Sequence, residues 1–328
     1  MMKLRHLYDN RELVMLLLQN WDYDPSRTDL LDQFRISANA IYPISCDGNV
    51  CFLRFAPISE KSFAAVASEM DFVAYLRSHG LGTPEVLPAR NGKNLLLCDT
   101  PWGEYSAAVF RRVPGQRMDK LELEPDILEK YGRNLARLHL LSRNYLPEGE
   151  RRKSWHEILD AAGACLGTYQ APESARKELN LLRIALQELS VDTGQFGLIH
   201  YDYELDNVFY DAKSEEVYTI DFDDCHYHWY GLDLERAMAN LEEELEVEKL
   251  QAAKASFLDG YASLIELTPD FFLKFPLYKR YAGFIQYVRC LRACYDFSEN
   301  EPEWMASLRK HLASLMQNNE AYFGTRLS

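Results

Sequence analysis

The chain has 328 residues, of which 47% are hydrophobic and 26% are charged, a composition typical of an ordinary folded protein with about two domains. Its formal net charge of −14 disfavours binding to nucleic acid or to an anionic membrane surface, because either partner would require a concentrated basic face. We therefore expect neither partner.

The cysteines and the apolar segments indicate where the protein resides. Seven cysteines, an odd number, are scattered through mostly apolar segments, which predicts reduced core residues and not a disulfide framework. Cys225, His226 and His228, or Cys290 with Cys294, have spacings that a metal ion could bridge, but we favour structural roles for both groups. No apolar run reaches the roughly 18 residues of a membrane span, so we expect a cytoplasmic protein.

The beginning of the chain predicts a helical lead-in over residues 1–33. Apolar side chains recur there at helical spacing, namely Leu7, Leu13, Leu17 and Trp21. Three strands are predicted next, at residues 32–38, 40–45 and 50–55. The dipeptide Asp47-Gly48 between the last two is a strong hairpin signal.

A helix is predicted over residues 59–78, with one apolar face and a glycine-rich end before Pro84. Further strands, at residues 85–87, 95–98 and 105–110, complete a predicted five-stranded antiparallel sheet. Pro114-Gly115 then marks a turn out of this part of the chain.

The second part of the chain is predicted to be mainly helical. Helices are expected at residues 127–141, 155–169 and 174–189, and again from about residue 230. His139 lies on an apolar helical face and is expected to be a hydrogen-bonded core residue. The acidic run at residues 241–248 is expected to be a solvated face, although it could also bind a cationic substrate.

A polar cluster follows in LIHYDYELDN and the strand that ends at Asp221. Transfer of a phosphoryl group from MgATP needs one carboxylate beside the attacking hydroxyl group and separate oxygen ligands for magnesium. Asp202, Asn207 and Asp221 are of the required types, and a tight loop followed by a hairpin can bring all three together. The spacing therefore predicts a kinase site.

These residues resemble the aminoglycoside phosphotransferase and choline kinase group. In that group the loop has the sequence His-Gly-Asp-x-x-x-x-Asn, and the metal-binding strand ends in Ile-Asp-Phe-Asp. Here the loop begins His200-Tyr201-Asp202 and ends at Asn207, so Tyr201 replaces the usual glycine. The resemblance implies an α+β, two-lobed protein-kinase-like fold, with a small antiparallel-sheet lobe over residues 1–113 and a mainly helical lobe over residues 114–328.

The resemblance also implies a nucleotide site in the first lobe. Arg54 on the third strand would grip the phosphates, and Glu69 would pair with it. An exposed strand charge remains the alternative for Arg54, and Glu60 competes with Glu69. Asn39 would lie in the loop over the phosphates, and the hinge backbone at Arg111 and Val113 would receive the adenine edge.

The expected activity is transfer of the ATP γ-phosphate to a hydroxyl group of a small molecule. Asp202 would orient or deprotonate that hydroxyl group, Asn207 and Asp221 would hold Mg²⁺, and Asp233 would tie its helix to the catalytic loop. A protein Ser/Thr kinase and a nucleotide-binding pseudokinase that acts as an interaction module are the alternatives. The sequence identifies neither the acceptor nor the oligomeric state.

Overall fold

Residues before Pro114 form one antiparallel sheet and two helices. The computed structural model describes residues 2–4, 9–192, 194–295 and 302–325. The helices of this first part are α1 (Arg11–Leu18) and α2 (Phe63–Ser78). Its strands are β1 (Arg35–Ile36), β2 (Ala40–Cys46), β3 (Asn49–Pro57), β4 (Val86–Leu87), β5 (Leu96–Thr100) and β6 (Gly103–Arg111). Among the described residues of the predicted helical lead-in, only α1 is α-helical, and Leu7 lies outside the described residues.

The sheet has six strands, one overlapping each of the six stretches predicted as strands, whereas a five-stranded sheet is predicted. Their order is β1-β2-β3-β6-β4, with β5 also paired to β6, and all pairings are antiparallel. The predicted strand at residues 32–38 is a strand only at Arg35 and Ile36, because residues 32 and 33 end the 3₁₀ helix Thr28–Gln33 and residues 37 and 38 form a bend. Leu30 and Leu31, inside this 3₁₀ helix, are both buried.

The hairpin between β2 and β3 closes at Asp47-Gly48, as predicted. The φ angles of these two residues are 50° and 75°, the left-handed conformations that a two-residue hairpin turn requires. Arg54 on β3 pairs in register with Ile41 of β2 and Ala108 of β6. The hairpin therefore places Arg54 on a central strand of the sheet.

Helix α2 packs on the sheet with one face and on the second part of the chain with the other. Its cap is Ser62, whose hydroxyl group accepts a hydrogen bond from the amide of Ala65 at 3.2 Å. Val66 and Met70 pack against the sheet. The opposite face joins a core shared with the second part of the chain, which contains Phe72, Val73, Leu76, Leu138, Leu198 and Phe222. Helix α2 therefore shares packing contacts with both parts of the chain.

The second part of the chain is mainly helical. Its helices are α3 (Pro125–Ser142), α4 (Trp155–Thr168), α5 (Glu173–Gln187), α6 (Gly231–Glu244), α7 (Val247–Ala262), α8 (Pro269–Leu273), α9 (Phe275–Cys294) and α10 (Glu303–Glu320). Its strands are β7 (Gln116–Arg117), β8 (Phe196–Ile199), β9 (Val208–Asp211), β10 (Glu216–Thr219) and β11 (His226–Trp229). Over the described residues, none of the helices combines the length and apolarity needed to cross a bilayer.

Two glycines let α3 and α7 approach each other closely. A Cβ atom added at Gly132 of α3 would collide with the backbone oxygen of Phe257, and one at Gly260 of α7 with that of Glu129. Both obstacles are backbone atoms of the facing helix, so neither can move aside as a flexible side chain would. The close contact supports α3, which carries the buried His139 beneath the site described below.

We predict that Gly132→Ala and Gly260→Ala each lower the free energy of unfolding by about 1 to 3 kcal/mol, because the added methyl group overpacks the helix contact. Gly167 of α4 is the matched control, since a Cβ atom there meets no atom within 4 Å. Gly167→Ala should leave stability unchanged or raise it slightly, because alanine favours the helix. Chemical denaturation of the three variants measures the difference. Equal stability of all three would contradict the proposed close contact.

Candidate active site

The loop between β8 and β9 brings the predicted catalytic side chains together. The Nδ2 atom of Asn207 donates to Oδ2 of Asp202 and to its backbone oxygen, each at 3.0 Å. The amide of Ile220 donates to the backbone oxygen of Asn207 at 2.9 Å, which aligns the end of the β9–β10 hairpin with the loop. Asp221 follows directly, so the hairpin returns it beside Asn207 as the spacing predicts.

Three polar residues of α6 hold this loop from below. Both carboxylate oxygens of Asp233 accept backbone amides at 2.7 Å, one from His200 and one from Tyr201. Arg236 lies one turn further along the helix, and Asn240 lies two turns further. The Oδ1 atom of Asn240 accepts a hydrogen bond from the amide of Leu205 at 2.9 Å. These positions are three and four residues apart and therefore share one helix face. The predicted tie between Asp233 and the loop is present.

His139 supports Asp233 in the core. Its Nε2 atom lies 3.0 Å from Oδ2 of Asp233, and its Nδ1 atom 2.9 Å from the hydroxyl group of Tyr261. Burial lowers the pKa of His139. Burial alone would raise the pKa of Asp233, but hydrogen bonds and charge from His139 and His200 lower it overall. Asp233 thus remains an acceptor for the loop amides, and His139 is the hydrogen-bonded core residue that the sequence predicts.

Tyr201 occupies the loop position that usually holds glycine, and the backbone conformation at this position explains why glycine is usual there. Its φ angle is 71°, in the left-handed region that favours glycine. The ring is buried, and the guanidinium carbons of Arg236 and Arg289 lie 5.0 and 5.1 Å from its centroid. These cation–π contacts help to offset the strain. The Tyr201 ring therefore stabilises the loop through its contacts with Arg236 and Arg289.

The two arginines at Tyr201 connect the catalytic loop with the segment after Asp221. Arg236 donates to Oδ1 of Asp202 at 3.2 Å and also to Glu204. Arg289 of α9 donates twice to Asp224, at 2.8 and 2.9 Å. Neither arginine is among the site residues predicted from the sequence. The helical spacing of Asp233, Arg236 and Asn240 is a signal that could have identified the first, whereas Arg289 is 65 residues from its partner and gives no local signal.

A cavity of about 370 Å³ opens between the sheet and the catalytic loop. Its apolar walls include Ile41, Phe52, Phe110, Phe209 and Ile220. Six of the predicted site residues line it, namely Arg54, Glu69, Arg111, Val113, Asn207 and Asp221. Its volume and its mixture of aromatic walls with a few polar groups fit a flat heterocycle that carries charged substituents. We call it the nucleotide cavity.

The hinge offers a defined set of backbone groups to this cavity. The amide of Arg111 donates to the backbone oxygen of Glu85 at 2.8 Å, and the amide of Arg112 donates to that of Val50 at 3.2 Å. Both amides are therefore occupied. Of the predicted hinge contacts, Arg111 can supply only its carbonyl oxygen, whereas Val113 can still offer its amide.

Arg54 and Glu69 form the predicted ion pair in the wall of the nucleotide cavity. Two parallel hydrogen bonds join them, at 2.6 and 3.0 Å, and the Arg54 guanidinium also lies 4.8 Å from the ring centroid of Phe110. Only 11% of the Arg54 side chain and 3% of the Glu69 side chain are exposed, so Arg54 is not an exposed strand charge. The competitor Glu60 instead accepts a hydrogen bond from Arg292 at 2.7 Å.

The environment of this pair sets the ionisation of Glu69. Burial alone would raise the pKa of Glu69, but the charge and hydrogen bonds of Arg54, with smaller contributions from Lys61 and Arg152, lower it overall. Glu69 is thus a carboxylate that depends on its cationic partners.

Asn39 does not take the place that the resemblance implies. Of the described residues, those that line the nucleotide cavity include Ser37 but not Asn39. The buried side chain of Asn39 accepts a hydrogen bond from Nζ of Lys61 at 2.9 Å. Lys61 also donates to Asp223. Asn39 therefore contacts the segment after Asp221 through Lys61, a residue that the sequence analysis missed.

The carboxylates around Asp221 fit a divalent cation. Burial, followed by the charges of Asp223 and Glu69, raises the pKa of Asp221 to about 7, so this acidic group lacks sufficient positive charge nearby. No group of three or more His, Cys, Asp or Glu side chains converges as a metal site within the described residues. A cation held by Asp221 and the amide oxygen of Asn207 would therefore need further ligands, and Mg²⁺ takes such ligands from phosphates and water.

The six-stranded sheet, the mainly helical second part and the loop between β8 and β9 together define a protein-kinase-like α+β fold of the phosphotransferase class. The predicted fold class is thus confirmed. The chain belongs to the phosphotransferase enzyme family, whose model matches residues 44–267, more than half of the sequence. The resemblance and the prediction of a phosphotransferase enzyme are confirmed as well.

Particular relatives include kinases of small molecules. The chain is 24% identical over 299 residues to the amicoumacin kinase of Bacillus subtilis (strain 168), with 86% of this chain and 87% of the relative covered. A solved amicoumacin kinase in complex with AMP-PNP and Ca²⁺ has a TM-score of 0.76 at 21% identity, covering 98% of this chain and 95% of the other. A microcompartment-associated aminopropanol kinase has a TM-score of 0.65 at 22% identity. The match covers 97% of this chain and 100% of the other.

An aminoglycoside phosphotransferase from Streptomyces rimosus, solved with ADP and streptomycin, has a TM-score of 0.58 at 19% identity. The match covers 84% of this chain and 99% of the other. These solved structures are similar to this chain in fold.

We predict that Arg54→Met lowers the free energy of unfolding by about 3 to 5 kcal/mol, because it leaves the Glu69 carboxylate buried without its partner. Arg54→Met/Glu69→Met should recover part of that loss, since both charges are then removed. Arg11→Met, at the exposed pair with Asp32, is the control and should cost less than about 1 kcal/mol. Denaturant titrations of the single and double variants measure the coupling. If the stability losses of the two single variants simply add in the double variant, the coupling between Arg54 and Glu69 is contradicted.

Proposed function

We propose that this protein transfers the γ-phosphate of MgATP to a hydroxyl group of a small molecule. The observation that carries the proposal is the convergence of Asp202, Asn207 and Asp221 beside a cavity of nucleotide size. The Asp202 side chain suits the acceptor hydroxyl group, and the side chains of Asn207 and Asp221 suit a metal ion. Amicoumacin kinase and aminopropanol kinase, which act on small molecules by name, share the fold.

The nucleotide would lie in the nucleotide cavity with its base between the apolar walls. The carbonyl oxygen of Arg111 and the amide of Val113 would bond the adenine edge, and Arg54 would contact the phosphates through its guanidinium fork. Glu69 holds that fork in place. We place the boundary between the two lobes after Val113, where the last strand of the sheet has ended and Pro114-Gly115 turns the chain.

Asp221 and Asn207 would hold Mg²⁺ against the phosphates. Magnesium binding at this position supplies the positive charge that stabilises the phosphoryl group during transfer. The buried carboxylate of Asp221 also gains from that charge, because its pKa is raised by burial and by neighbouring carboxylates. Asn207 orients both partners, since its Nδ2 atom bonds Asp202 and leaves its oxygen for the metal.

Asp202 would receive the acceptor. Its two oxygens are positioned by Arg236 and Asn207, at 3.2 and 3.0 Å. During transfer the acceptor oxygen bonds to the γ-phosphorus, the bond from that phosphorus to the bridging oxygen of ADP breaks, and the hydroxyl proton passes to Asp202. Arg236 and Asn207 thus hold this carboxylate in place before the reaction.

The segment after Asp221 favours a small acceptor over a protein. Helix α6 begins at Gly231, only ten residues after Asp221, and no Ala-Pro-Glu sequence follows in the chain. This interval has no room for the activation loop with which ordinary protein kinases bind peptides. The cytoplasm, which supplies ATP and Mg²⁺, is the proposed compartment, and neither nucleic acid nor membrane is a proposed partner.

We predict that Asp202→Asn reduces transfer or ATP hydrolysis by about 10² to 10⁴-fold, or roughly 3 to 5 kcal/mol in the barrier. The amide keeps the shape of the side chain but cannot accept the proton. Nucleotide affinity should stay within a few-fold, because Asp202 does not line the nucleotide cavity. Steady-state turnover and nucleotide titration of the same preparations test both statements. A wild type that binds MgATP without ever transferring phosphate would support the pseudokinase alternative.

A second prediction concerns the metal. Magnesium should increase the thermal stabilisation by ATP in the wild type, and Asp221→Ala should abolish that increase because its carboxylate is the main protein charge on the ion. The control is Asp211→Ala, at the turn of the β9–β10 hairpin and outside the nucleotide cavity. It should retain the magnesium effect. Melting curves with ATP, in the presence and absence of Mg²⁺, provide the comparison, and an unchanged effect in Asp221→Ala would remove this residue from the site.

A further inference from the structure

A second cavity, of about 350 Å³, adjoins the segment that carries Asp221. Asp221 and Phe222 line the nucleotide cavity, and the next two residues, Asp223 and Asp224, line the second one. The remaining walls come from the start of α2, the segment before α4, and α9. The two cavities are therefore neighbours that share one short stretch of backbone.

The second cavity is lined by more positive than negative side chains. Among the described residues in its walls, six are cationic, namely Lys61, Arg151, Arg152, Lys153, Arg289 and Arg292. Four are carboxylates, namely Glu60, Glu150, Asp223 and Asp224. This surplus occurs in a chain whose net charge is −14. A positive surplus in a concave site attracts and holds anions.

Arg152 contributes a charge that pairs directly with none of the carboxylates in the described part of the chain. Its guanidinium group donates to three backbone oxygens, those of Ala65, Asp223 and Cys225. By contrast, four of the other cations pair with carboxylates: Lys61 with Asp223, Arg151 with Glu157, Arg289 with Asp224 and Arg292 with Glu60. The side chain of Lys153 is exposed beside Arg152. The first turn of α2 adds the positive end of a helix dipole to the same wall.

The cavity is also close to the proposed base. Arg289 lines the cavity, and its guanidinium carbon lies 5.1 Å from the ring centroid of Tyr201. Asp202 is the next residue along the loop. An acceptor in the second cavity would therefore lie near both Asp202 and the segment that follows Asp221.

We propose that the second cavity binds an anionic group of the acceptor, either a carboxylate or a phosphate ester. The substrate class would then be a small hydroxylated anion. This inference rests on the proposed function, because it names the acceptor of the same reaction. An acceptor that carries only an ammonium group would meet the cationic wall unfavourably.

The test uses the full-length protein saturated with AMP-PNP and Mg²⁺, so that free anions cannot occupy the nucleotide phosphate position. Four ligands share one hydroxylated scaffold: glycerate, glycerol 3-phosphate, glycerol and 3-amino-1,2-propanediol. Calorimetric titration should show at least one of the two anions binding tenfold or more tightly than the neutral and cationic ligands. The two anions distinguish a carboxylate site from a phosphate site.

Variants then locate the binding. Lys153→Glu should weaken anion binding at least tenfold while AMP-PNP affinity stays within twofold, because Lys153 lies outside the nucleotide cavity. Lys177→Glu on α5 makes the same change in net charge at an exposed position away from both cavities. It should alter anion affinity less than twofold. Equal losses in both variants would show a general charge effect and overturn the assignment.

The outcomes separate this inference from the proposed function. If AMP-PNP fails to bind, the proposed function fails first. If AMP-PNP binds but neither anion does, or if 3-amino-1,2-propanediol binds as tightly as the anions, only the assignment of an anionic acceptor is overturned. Anion binding that disappears after loading with AMP-PNP would place the anions in the nucleotide cavity and would likewise overturn it.

Discussion

The buried carboxylate of Asp233 is the constraint on which the catalytic loop depends. It accepts the amides of His200 and Tyr201 at 2.7 Å and is held by His139 on its other side. A loop that turns sharply exposes amides that cannot pair with a strand, and a buried unpaired amide is costly. Asp233 satisfies two of them at once with charge-assisted hydrogen bonds, and thereby fixes the direction in which Asp202 leaves the backbone.

Tyr201 shows how a departure from a family pattern can be absorbed and used. A left-handed backbone costs a residue with a side chain roughly 1 to 2 kcal/mol relative to glycine. Here the ring lies against Arg236 and Arg289, and each such contact contributes about 0.5 to 2 kcal/mol. The same arginines bond Asp202 and Asp224. The substitution thus connects the proposed base with the wall of the second cavity, a connection that glycine could not make.

Helix α2 couples the two parts of the molecule through both polar and apolar contacts. Glu69 bonds Arg54 of the sheet, while the opposite face of the helix packs with Phe222, next to Asp221. Lys61, just before the helix, bonds both Asn39 and Asp223. A shift of α2 would therefore disturb both Arg54, the proposed phosphate contact, and the segment that carries Asp221, the proposed metal ligand.

The sequence by itself determined the features that depend on short stretches of chain. Asp202, Asn207 and Asp221 meet because one loop and one hairpin join them, and the Asp47-Gly48 turn forms for equally local reasons. The tertiary structure alone decided which distant charges meet. Arg289 and Asp224 are 65 residues apart, and Lys61 and Asp223 are 162 apart. It also decided that residues 28–33 bury Leu30 and Leu31 in a 3₁₀ helix, and that Asn39 contacts Lys61. Burial and ion pairing are chosen by packing between elements, which periodicity along the chain does not encode.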